Sequence, residues 1–326
     1  MTNKDLFKNK VVLVTGGAGF IGSHLVDKAL ELGAEKVICY DNLIGTNNSL
    51  GNIAHLNTPR FKFVRGDIKD YQEIKPLVEE SDIIFNEAAS KLVVSLKDPT
   101  IDVQTNVVGN FNIAEIMRKS ESDARIIHAS TGSVFGSSDK PFEETDSMHP
   151  STVYGISKLA AEKYFLLYHR LYGIKATVLR YFHVFGPRQD YTGEAGVVGI
   201  FLSRALRRLP PQVCGSGEAI RCFTFVNDVV DSNILLYKNN SSIGQDYNVA
   251  SRNRVSVLQL ANQTIAKYGL IGMKPEFVAP RLGENLKPIP NTKKIENLGF
   301  RESVTFDEGM EKTKHWIAEQ LKNERS

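Results

Sequence analysis

VVLVTGGAGFIGSHLV, residues 11–26, carries the clearest structural signal in the chain. An apolar run typical of a buried strand leads into Gly16, Gly19 and Gly22, and a helical pattern begins at once. Glycine permits a tight turn, close approach of the backbone to a ligand and close packing of a helix on a strand. The helix N-terminus then offers N–H groups and a partial positive charge to phosphate. The segment therefore predicts a strand–loop–helix unit that holds the pyrophosphate of a dinucleotide.

Short apolar runs and helical patterns alternate through residue 182. Most runs are continuously apolar, which is typical of strands covered on both faces. The alternation predicts an α/β fold with a doubly wound parallel Rossmann sheet, in which the loops that follow the strands meet at one ligand-binding edge. The predicted strands are 10–16, 36–41, 61–67, 82–89, 125–131 and 175–182, and the predicted helices are 20–32, 71–80, about 99–119 and 152–172.

The pattern changes after residue 182, where loops separate isolated helical candidates. A short run at 245–250 is expected to rejoin the sheet. We therefore predict a Rossmann domain that binds the dinucleotide over 1–182 and about 224–250, and a smaller C-terminal substrate-binding domain over 183–223 and 251–326. The helical candidates of this part are 197–208, 226–238, 256–268 and 305–321.

Composition limits the classes of partner. The 326 residues carry a net charge of +3, with no run of five basic residues, so neither nucleic acid nor a membrane is an expected partner. The largely polar first ten residues predict no secretion signal, and no apolar run approaches the ~20 residues of a membrane helix. Cys39, Cys214 and Cys222 lack metal-ligand spacing, so no metal site is predicted. Cys214 and Cys222 are near enough in sequence to pair, but free thiols in a reducing cytoplasm are the expectation.

Two aspartates follow predicted strands on the dinucleotide side. Asp41 ends the second strand, where a carboxylate hydrogen-bonds the adenosine ribose and repels the 2′-phosphate of NADP, which favours NAD. Asp67 ends the third strand and is placed to hold the adenine amine. The alternative for both is a loop-capping role.

Tyr154 and Lys158 lie four residues apart at the start of a helical pattern, and therefore on one face. A free tyrosine has a pKa of ~10, too high for a base near neutrality. A lysine cation and a positive nicotinamide favour the phenolate, which then takes a proton from an alcohol as hydride leaves the same carbon. Thr131 ends the fifth strand and is placed to donate to the same oxygen. Without the glycine loop, a surface helical pair would be the better interpretation.

The motifs TGGAGFIGSHL, YDNL, GDI, NEAA, STGSVFG and YGISK together resemble the extended short-chain dehydrogenase/reductase family, in its NAD-dependent sugar-nucleotide epimerase/dehydratase branch. RYFHVFGPRQD, GSGEAIRCFTFVNDVVD and RLGENLKPIPNTKKIENLGF extend the resemblance nearly to the end of the chain. The resemblance implies NAD as cofactor, a nucleotide-sugar substrate with a UDP-sugar as the first expectation, and a homodimer formed through helices 99–119 and 152–172. It implies Thr131, Tyr154 and Lys158 as the catalytic residues.

The resemblance also implies residues around the cofactor and the substrate. The expected cofactor-binding residues are Gly16, Gly19, Phe20, Ile21, Gly22, Asp41, Asn42, Asp67, Ile68, Ala88, Ala89, Lys91, Asn106, Tyr154, Lys158 and Tyr181. The expected substrate-binding residues are Lys91, Ser95, Thr131, Gly132, Ser133, His183, Arg188, Arg221, Arg281 and Glu284. The arginines are candidates for the pyrophosphate, with a solvated surface position as the alternative.

The two residues after Thr131 separate the reactions of this branch. Its 4,6-dehydratases typically carry an acid pair there, or an aspartate and a lysine, and its UDP-glucuronate decarboxylases a glutamate at the second position. Gly132 and Ser133 are neither strong acids nor strong bases. We therefore expect a 4-epimerase of a UDP-hexose or UDP-N-acetylhexosamine, which oxidises C4 transiently and returns hydride to the opposite face. A 4,6-dehydratase or 4-keto reductase is the alternative. A non-catalytic dinucleotide-sensing protein is more remote, because it would not need Tyr154 and Lys158.

Several residues depart from the family pattern. His183 stands where the family often has an asparagine that faces the nucleotide phosphate or the sugar. Asn86 replaces a common histidine, and Glu87 beside it is unusual. Glu87 is expected to face away, although a carboxyl that reached the sugar would supply an acid. Pro288 falls near the position that limits the C2 substituent in related epimerases, and its compact side chain is compatible with an N-acetyl group.

Overall fold

A computed structural model describes residues 5–45, 49–138, 140–193, 196–268, 272–280 and 288–324. The strands are β1 Val11–Thr15, β2 Lys36–Asp41, β3 Phe61–Arg65, β4 Ile83–Asn86, β5 Arg125–Thr131, β6 Lys175–Tyr181, β7 Val184–Phe185, β8 Gln212–Cys214, β9 Ile220–Arg221, β10 Thr224–Phe225, β11 Asp246–Val249, β12 Val255–Ser256 and β13 Glu276–Val278. The helices are α1 Phe20–Glu31, α2 Tyr71–Glu79, α3 Leu92–Lys97, α4 Pro99–Val103, α5 Asn110–Lys119, α6 Val153–Tyr172, α7 Val197–Leu206, α8 Val226–Lys238, α9 Val257–Lys267, α10 Lys293–Asn297 and α11 Phe306–Asn323.

Seven parallel strands form the main sheet in the order β11-β6-β5-β4-β1-β2-β3. The chain runs outward from β1 to β3 and then crosses back to β4, so the strand order reverses between β1 and β4. In such sheets the ligand crevice opens at the carboxyl ends of the strands at this reversal. The predicted doubly wound Rossmann fold is confirmed.

The sheet is buried on both faces. Leu25 of α1 and Val229 of α8 pack on one face, and Ile113 of α5 and Phe165 of α6 pack on the other. All four residues of β4 are buried, which explains why the central strands are continuously apolar in sequence. Three described thiols are free, and within the described residues no helix has the length and apolarity that crossing a membrane requires.

The C-terminal part adds a second core above the ligand edge. Phe201 of α7, Leu260 of α9 and Ile317 of α11 belong to this core. Residues 246–249 return to the main sheet as β11, beside β6. The division into two domains stays a prediction, and this return of the chain supports it.

Two helical features near the ligand edge differ from the sequence pattern. The predicted helix 99–119 is interrupted by a π-helical turn, Gln104–Gly109, between α4 and α5. The short helix α3, Leu92–Lys97, follows β4 where no helix was predicted. π-Helical turns widen a helix locally and often occur at functional sites.

Candidate active site

The glycine loop between β1 and α1 has no space for side chains. Gly16 has a φ of +64°, and a Cβ there would lie 2.8 Å from the nitrogen of Ala88. A Cβ on Gly22 would lie 2.1 Å from the oxygen of Gly16. Gly19 precedes Phe20 and Ile21, and no side chain caps the helix that they begin. This arrangement fits the pyrophosphate of a dinucleotide.

Two carboxylates lie at neighbouring strand ends beside this loop. Asp41 accepts hydrogen bonds from the backbone of Ala18 (3.0 Å) and of Leu43 (2.7 Å). Burial raises the pKa of Asp41, and these donors oppose the effect. Asn42 donates to Asp67 at 2.9 Å and joins the two predicted adenosine residues. Asp41 thus caps the loop. Both carboxylates lie on the side predicted for adenosine. Ile68, which follows Asp67 in the chain, is buried.

Asn86, at the end of β4, replaces the family's common histidine in a buried network. Its Oδ1 accepts from the hydroxyl of Thr15 at 2.6 Å, and its Nδ2 donates to Asn110 at 2.7 Å. The same Thr15 hydroxyl accepts from the backbone of Ala88 at 3.2 Å. Asn86 therefore fixes the start of the loop that carries Ala88 and Ala89.

The π-helical turn places Asn106 beneath the site. Its Oδ1 accepts from the backbone of Ser90 (2.8 Å), and its Nδ2 donates to Asp102 (3.0 Å). The other oxygen of Asp102 accepts from the hydroxyl of Ser157 on α6 at 2.6 Å. Sequence reasoning missed Asp102 and Ser157, and no local signal marked Asp102, because its partner on α6 lies 55 residues away.

Thr131, Tyr154 and Lys158 come together at the carboxyl end of β5. Thr152 caps α6 by accepting from the backbone of Gly155 (3.0 Å), which fixes the turn that carries Tyr154. The ammonium of Lys158, only 2% exposed, donates to the carbonyl of Ala129 at 2.6 Å. The Thr131 hydroxyl accepts from the backbone of Ser133 at 3.2 Å.

Burial dominates the charge states of this cluster. It raises the pKa of Tyr154 to about 12, against a smaller lowering by the hydrogen bond with Thr131. It lowers the pKa of Lys158 to about 8, and Glu87, Asp102 and Glu162 oppose this effect. The sequence led us to expect a lowered pKa for Tyr154. In the chain alone that pKa is raised instead.

A cavity of about 390 Å³ is lined by Thr131 of this cluster. His183 has a φ of +44°, and its buried Nδ1 has no hydrogen-bond partner. Burial and the nearby Arg221 hold the pKa of His183 well below its ordinary value, so the imidazole is neutral. Predicted residues that line the cavity are Thr131, Gly132, Ser133, Tyr181, His183 and Arg221. Lining residues missed from the sequence include Leu92, Phe182, Gln212, Cys214 and Val278.

Other predicted substrate residues lie elsewhere. Arg188 forms a 2.7 Å ion pair with Asp27 of α1 and lines a separate cavity of about 560 Å³. Lys91 lies 3.5 Å from Asp190, and the buried Ser95 donates to the carbonyl of Leu92 at 2.8 Å. Each of these three side chains is therefore engaged by another residue of the chain. The predicted residues Arg281 and Glu284 lie outside the described residues.

Glu87, which follows β4, is hydrogen-bonded to Tyr181 at the end of β6. Its Oε1 accepts from the phenol of Tyr181 at 2.8 Å, and Asn233 of α8 donates to the same phenol oxygen at 2.8 Å. Burial raises the pKa of Glu87 to about 7, with smaller opposing effects from Tyr181 and Lys158. The side chain thus reaches the cluster without being one of the described residues that line the cavity.

Comparison with known proteins gives consistent matches. The model of the NAD dependent epimerase/dehydratase family matches residues 12–250. A putative UDP-glucose 4-epimerase of Methanocaldococcus jannaschii is 36% identical over 312 residues, which is 94% of this chain and 98% of that protein. The Thermotoga maritima UDP-glucose 4-epimerase structure with UDP-glucose has a TM-score of 0.87 at 35% identity, covering 95% of this chain and 99% of that one. The Bacillus cereus UDP-glucuronic acid 4-epimerase structure, with UDP-glucuronic acid and NAD, has a TM-score of 0.89 at 28% identity, with coverage of 95% and 99%.

Proposed function

The chain belongs to the NAD-dependent epimerase/dehydratase family, and from this premise we propose that it is a nucleotide-sugar 4-epimerase acting on a UDP-hexose or a UDP-N-acetylhexosamine. The observation that carries the proposal is the cluster of Thr131, Tyr154 and Lys158, of which Thr131 lines a cavity together with positions 132 and 133, where no acid stands. Relatives named as a putative UDP-glucose 4-epimerase and a UDP-glucose 4-epimerase support it.

NAD is the cofactor of this family, and the crevice at β1 fits it. The glycine loop has no room for side chains and leads into a helix N-terminus without a side-chain cap, and Asp41 lies at the end of β2, where the adenosine ribose is expected. Bound there, NAD supplies a hydride acceptor for oxidation at C4 and a hydride donor for the reverse step. We propose that Asp67, Asn106 and Tyr181 complete the cofactor contacts.

Tyr154 is the residue that we propose moves the proton of the C4 hydroxyl. Its phenol is protonated at neutral pH in the chain alone, since burial above all raises its pKa to about 12. That value already holds with the ammonium of Lys158 one turn away on α6, so a further positive charge beside the phenol, which a bound nicotinamide would supply, has to lower it. We propose that Thr131 donates its hydroxyl to the same substrate oxygen.

The two residues after Thr131 lack the acidic or basic groups that elimination or decarboxylation would use. A Cβ on Gly132 would lie 2.2 Å from the ring of Phe182, so any side chain there would have to displace that ring. Ser133 accepts from the Thr131 hydroxyl at 3.3 Å and cannot act as a strong acid or base near neutrality. Glu87 is engaged by Tyr181 rather than presented to the cavity. The reaction that these side chains support is removal of hydride from one carbinol carbon and its return to the same carbon.

Epimerisation requires the sugar to turn over while the nucleotide stays anchored. Arg221 and His183 line the cavity, and we propose that they hold the pyrophosphate and the glycosyl oxygen. His183 is suited to an uncharged hydrogen bond with the ligand, because its imidazole is neutral and its buried Nδ1 has no partner. Pro288 also lines the cavity, and its compact side chain supports acceptance of a C2 N-acetyl group.

A product analysis tests this function. The purified protein, supplied with UDP-glucose or UDP-N-acetylglucosamine and no reductant, is expected to give the C4 epimer at unchanged mass. Deuterium placed at C4 is expected to remain on that carbon. A product lighter by one water would indicate a dehydratase instead, and consumption of added reduced cofactor would indicate a reductase.

We also propose a homodimer and a cytoplasmic location. Free thiols at Cys39 and Cys222 support the location. Apolar side chains on α4, the π-helical turn and α6 support the dimer. These residues, each exposed by 37% or more, are Ile101, Val103, Val108, Ile156, Leu167 and Leu171.

A further inference from the structure

The ring of Phe182 fills the space beside Gly132, the residue that follows Thr131. Phe182 comes directly after β6 and is 1% exposed. A Cβ on Gly132 would lie 2.2 Å, 2.5 Å and 2.7 Å from three atoms of this ring. Gly132 and Phe182 both line the cavity to which Thr131 belongs. The ring and the backbone of Gly132 are therefore in contact, and neither a side chain nor a water molecule fits between them.

Phe182 is held in place by a small apolar cluster and a buried cation. The buried members of the cluster are Val134, Phe135, Phe142, Phe182, Cys222 and Ala250. The Phe182 ring stacks on Phe135 with the centroids 6.5 Å apart, and Phe135 stacks on Phe142 at 4.7 Å. The guanidinium of Arg180, 0% exposed, lies 5.0 Å from the centroid of Phe135 and forms a 2.5 Å ion pair with Glu162 of α6. A ring packed in this way cannot turn away from Gly132 without disturbing the whole cluster.

The side chains that line this cavity offer no strong base. Among the described lining residues none is a carboxylate or a lysine, and the titratable ones are Tyr181, His183, Cys214 and Arg221. His183 is neutral with a pKa well below its ordinary value, which makes it a weak base. Tyr181 donates its phenol proton to Glu87 at 2.8 Å, and its pKa is raised well above the ordinary value. Whether a proton leaves a substrate carbon therefore depends on the access of water and dissolved bases.

A ketone at C4 makes such access harmful. The hydrogens on C3 and C5 become acidic, because each then lies on a carbon beside a carbonyl. A base that removes one of them leaves the electron pair of the C–H bond in an enolate, whose negative charge lies on the C4 oxygen. Thr131 and Tyr154, which we propose donate to this oxygen, would stabilise the enolate as well as the ketone. A site of this kind has to exclude water while the ketone exists.

We propose that Phe182 is a specificity-determining residue that shields the carbons beside C4 from water and bases, so that the ketone is reduced again before it enolises. The inference rests on the proposed function, because only a reaction through a C4 ketone requires the shield. The ring acts by filling space. It excludes a side chain at position 132 and leaves no room for water on the side of the cavity where Thr131 lies.

Deuterium from the solvent measures enolisation directly. The holoenzyme converts UDP-glucose or UDP-N-acetylglucosamine, whichever the wild type epimerises, in D₂O, and mass spectrometry and NMR locate deuterium on carbon. Enolisation followed by return of a deuteron adds one mass unit at C3 or C5, whereas epimerisation alone adds none, since hydride returns to C4. Phe182→Ala is expected to incorporate roughly tenfold more deuterium per turnover than the wild type, and added formate, a small base, is expected to raise this further.

Two further variants separate shielding from a general loosening of the cavity. Phe182→Leu refills most of the space and is expected to incorporate less deuterium per turnover than Phe182→Ala. Phe201→Ala removes a ring that lines the same cavity from α7, and is expected to match the wild type. Wild-type incorporation in Phe182→Ala, or equal incorporation in Phe201→Ala, would overturn the proposal. Counting per turnover makes the result independent of a lower rate.

A packing test requires no turnover. Gly132→Ala is expected to lower the Tm of the wild type by roughly 2–6 °C, because the added methyl meets the ring. In the Phe182→Leu protein the same change is expected to lower the Tm by much less, since the ring is gone. Equal losses in the two backgrounds would show that the ring does not occupy this space. A wild type without epimerase activity would refute the proposed function and the shield together, whereas an active wild type with unlabelled product from Phe182→Ala refutes the shield alone.

Discussion

The hydroxyl of Ser157 on α6 donates a 2.6 Å hydrogen bond to Asp102 of α4 and so joins the helix of Tyr154 to the helix before the π-helical turn. Asp102 also accepts from Asn106 at 3.0 Å, and Asn106 in turn accepts from the backbone of Ser90 at 2.8 Å. The loop after β4, the π-helical turn and α6 therefore share one polar network. Its integrity should determine where Tyr154 and Lys158 lie.

Removing this shared acceptor should lower both stability and turnover. Asp102→Ala leaves the buried donors of Ser157 and Asn106 without their carboxylate, at a cost of about 1–3 kcal/mol for each unsatisfied group. We expect a lower Tm and a kcat reduced more than KM is raised, since α6 would shift. Thermal unfolding and steady-state kinetics measure these effects. Asp102→Asn retains an acceptor and serves as the control; wild-type values for Asp102→Ala would show that the network does not position the site.

Tyr154→Phe should remove turnover while leaving the cofactor bound. The phenol is the proton-transferring group in the proposed reaction, and such groups contribute roughly 10²–10⁴-fold to the rate. NAD content, read from the absorbance of cofactor released on denaturation, should match the wild type. Tyr164→Phe removes a phenol from the same helix and should retain activity. Near-normal rates for Tyr154→Phe would refute its role as base.

Gly22→Ala should abolish tight binding of NAD. The added Cβ would meet the Gly16 oxygen at 2.1 Å, so the loop would have to open where the pyrophosphate is expected. Calorimetric titration with NAD measures the loss. Gly45→Ala is the control, because no atom lies within 4 Å of the Cβ position there. Equal affinities in the two variants would place the cofactor elsewhere.

Glu87→Gln should become relatively more stable as the pH rises. The pKa of Glu87 is raised from 4.5 to about 7, so the stability that its proton confers is fully present below about pH 4.5 and is lost as the pH rises through about 7. Glutamine has no proton to lose. The Tm difference, variant minus wild type, should therefore increase from pH 5 to pH 8 by about 5 °C.

Thermal unfolding at the two pH values, at equal NAD content, makes this comparison. Glu35→Gln removes an exposed carboxyl ahead of β2 and should give the same small difference at both values. A Tm difference for Glu87→Gln that does not change with pH would mean that Glu87 keeps its ordinary pKa in the folded protein.

Local signals made most of the fold and part of the candidate site predictable from sequence. Continuous apolar runs identified the parallel strands, and the glycine loop and the four-residue spacing of Tyr154 and Lys158 identified groups that lie close along the chain. Their meeting at one edge followed from the right-handed crossover rule.

The remaining contacts depend on residues far apart in sequence. Glu87 and Tyr181 are 94 residues apart, and Arg188 reaches Asp27 across 161 positions (188 − 27), so no local pattern reveals either contact. The π-helical turn likewise has no periodicity that separates it from an α-helix, because its register is fixed by Asn106 bonding to Ser90 and Asp102. Tertiary packing rather than propensity determined these features.

Leu171→Glu should convert the proposed dimer into a monomer. Leu171 is 59% exposed and lies on α6 with Ile156 and Leu167, so a charge there would be buried without a partner in a helix-to-helix interface. Size-exclusion chromatography with light scattering should show half the wild-type mass. Leu209→Glu replaces a 44%-exposed leucine before β8 and should leave the mass unchanged. A wild-type mass for Leu171→Glu would indicate that a different face joins the subunits, because no desolvated interface near α6 tolerates that carboxylate without a compensating cation.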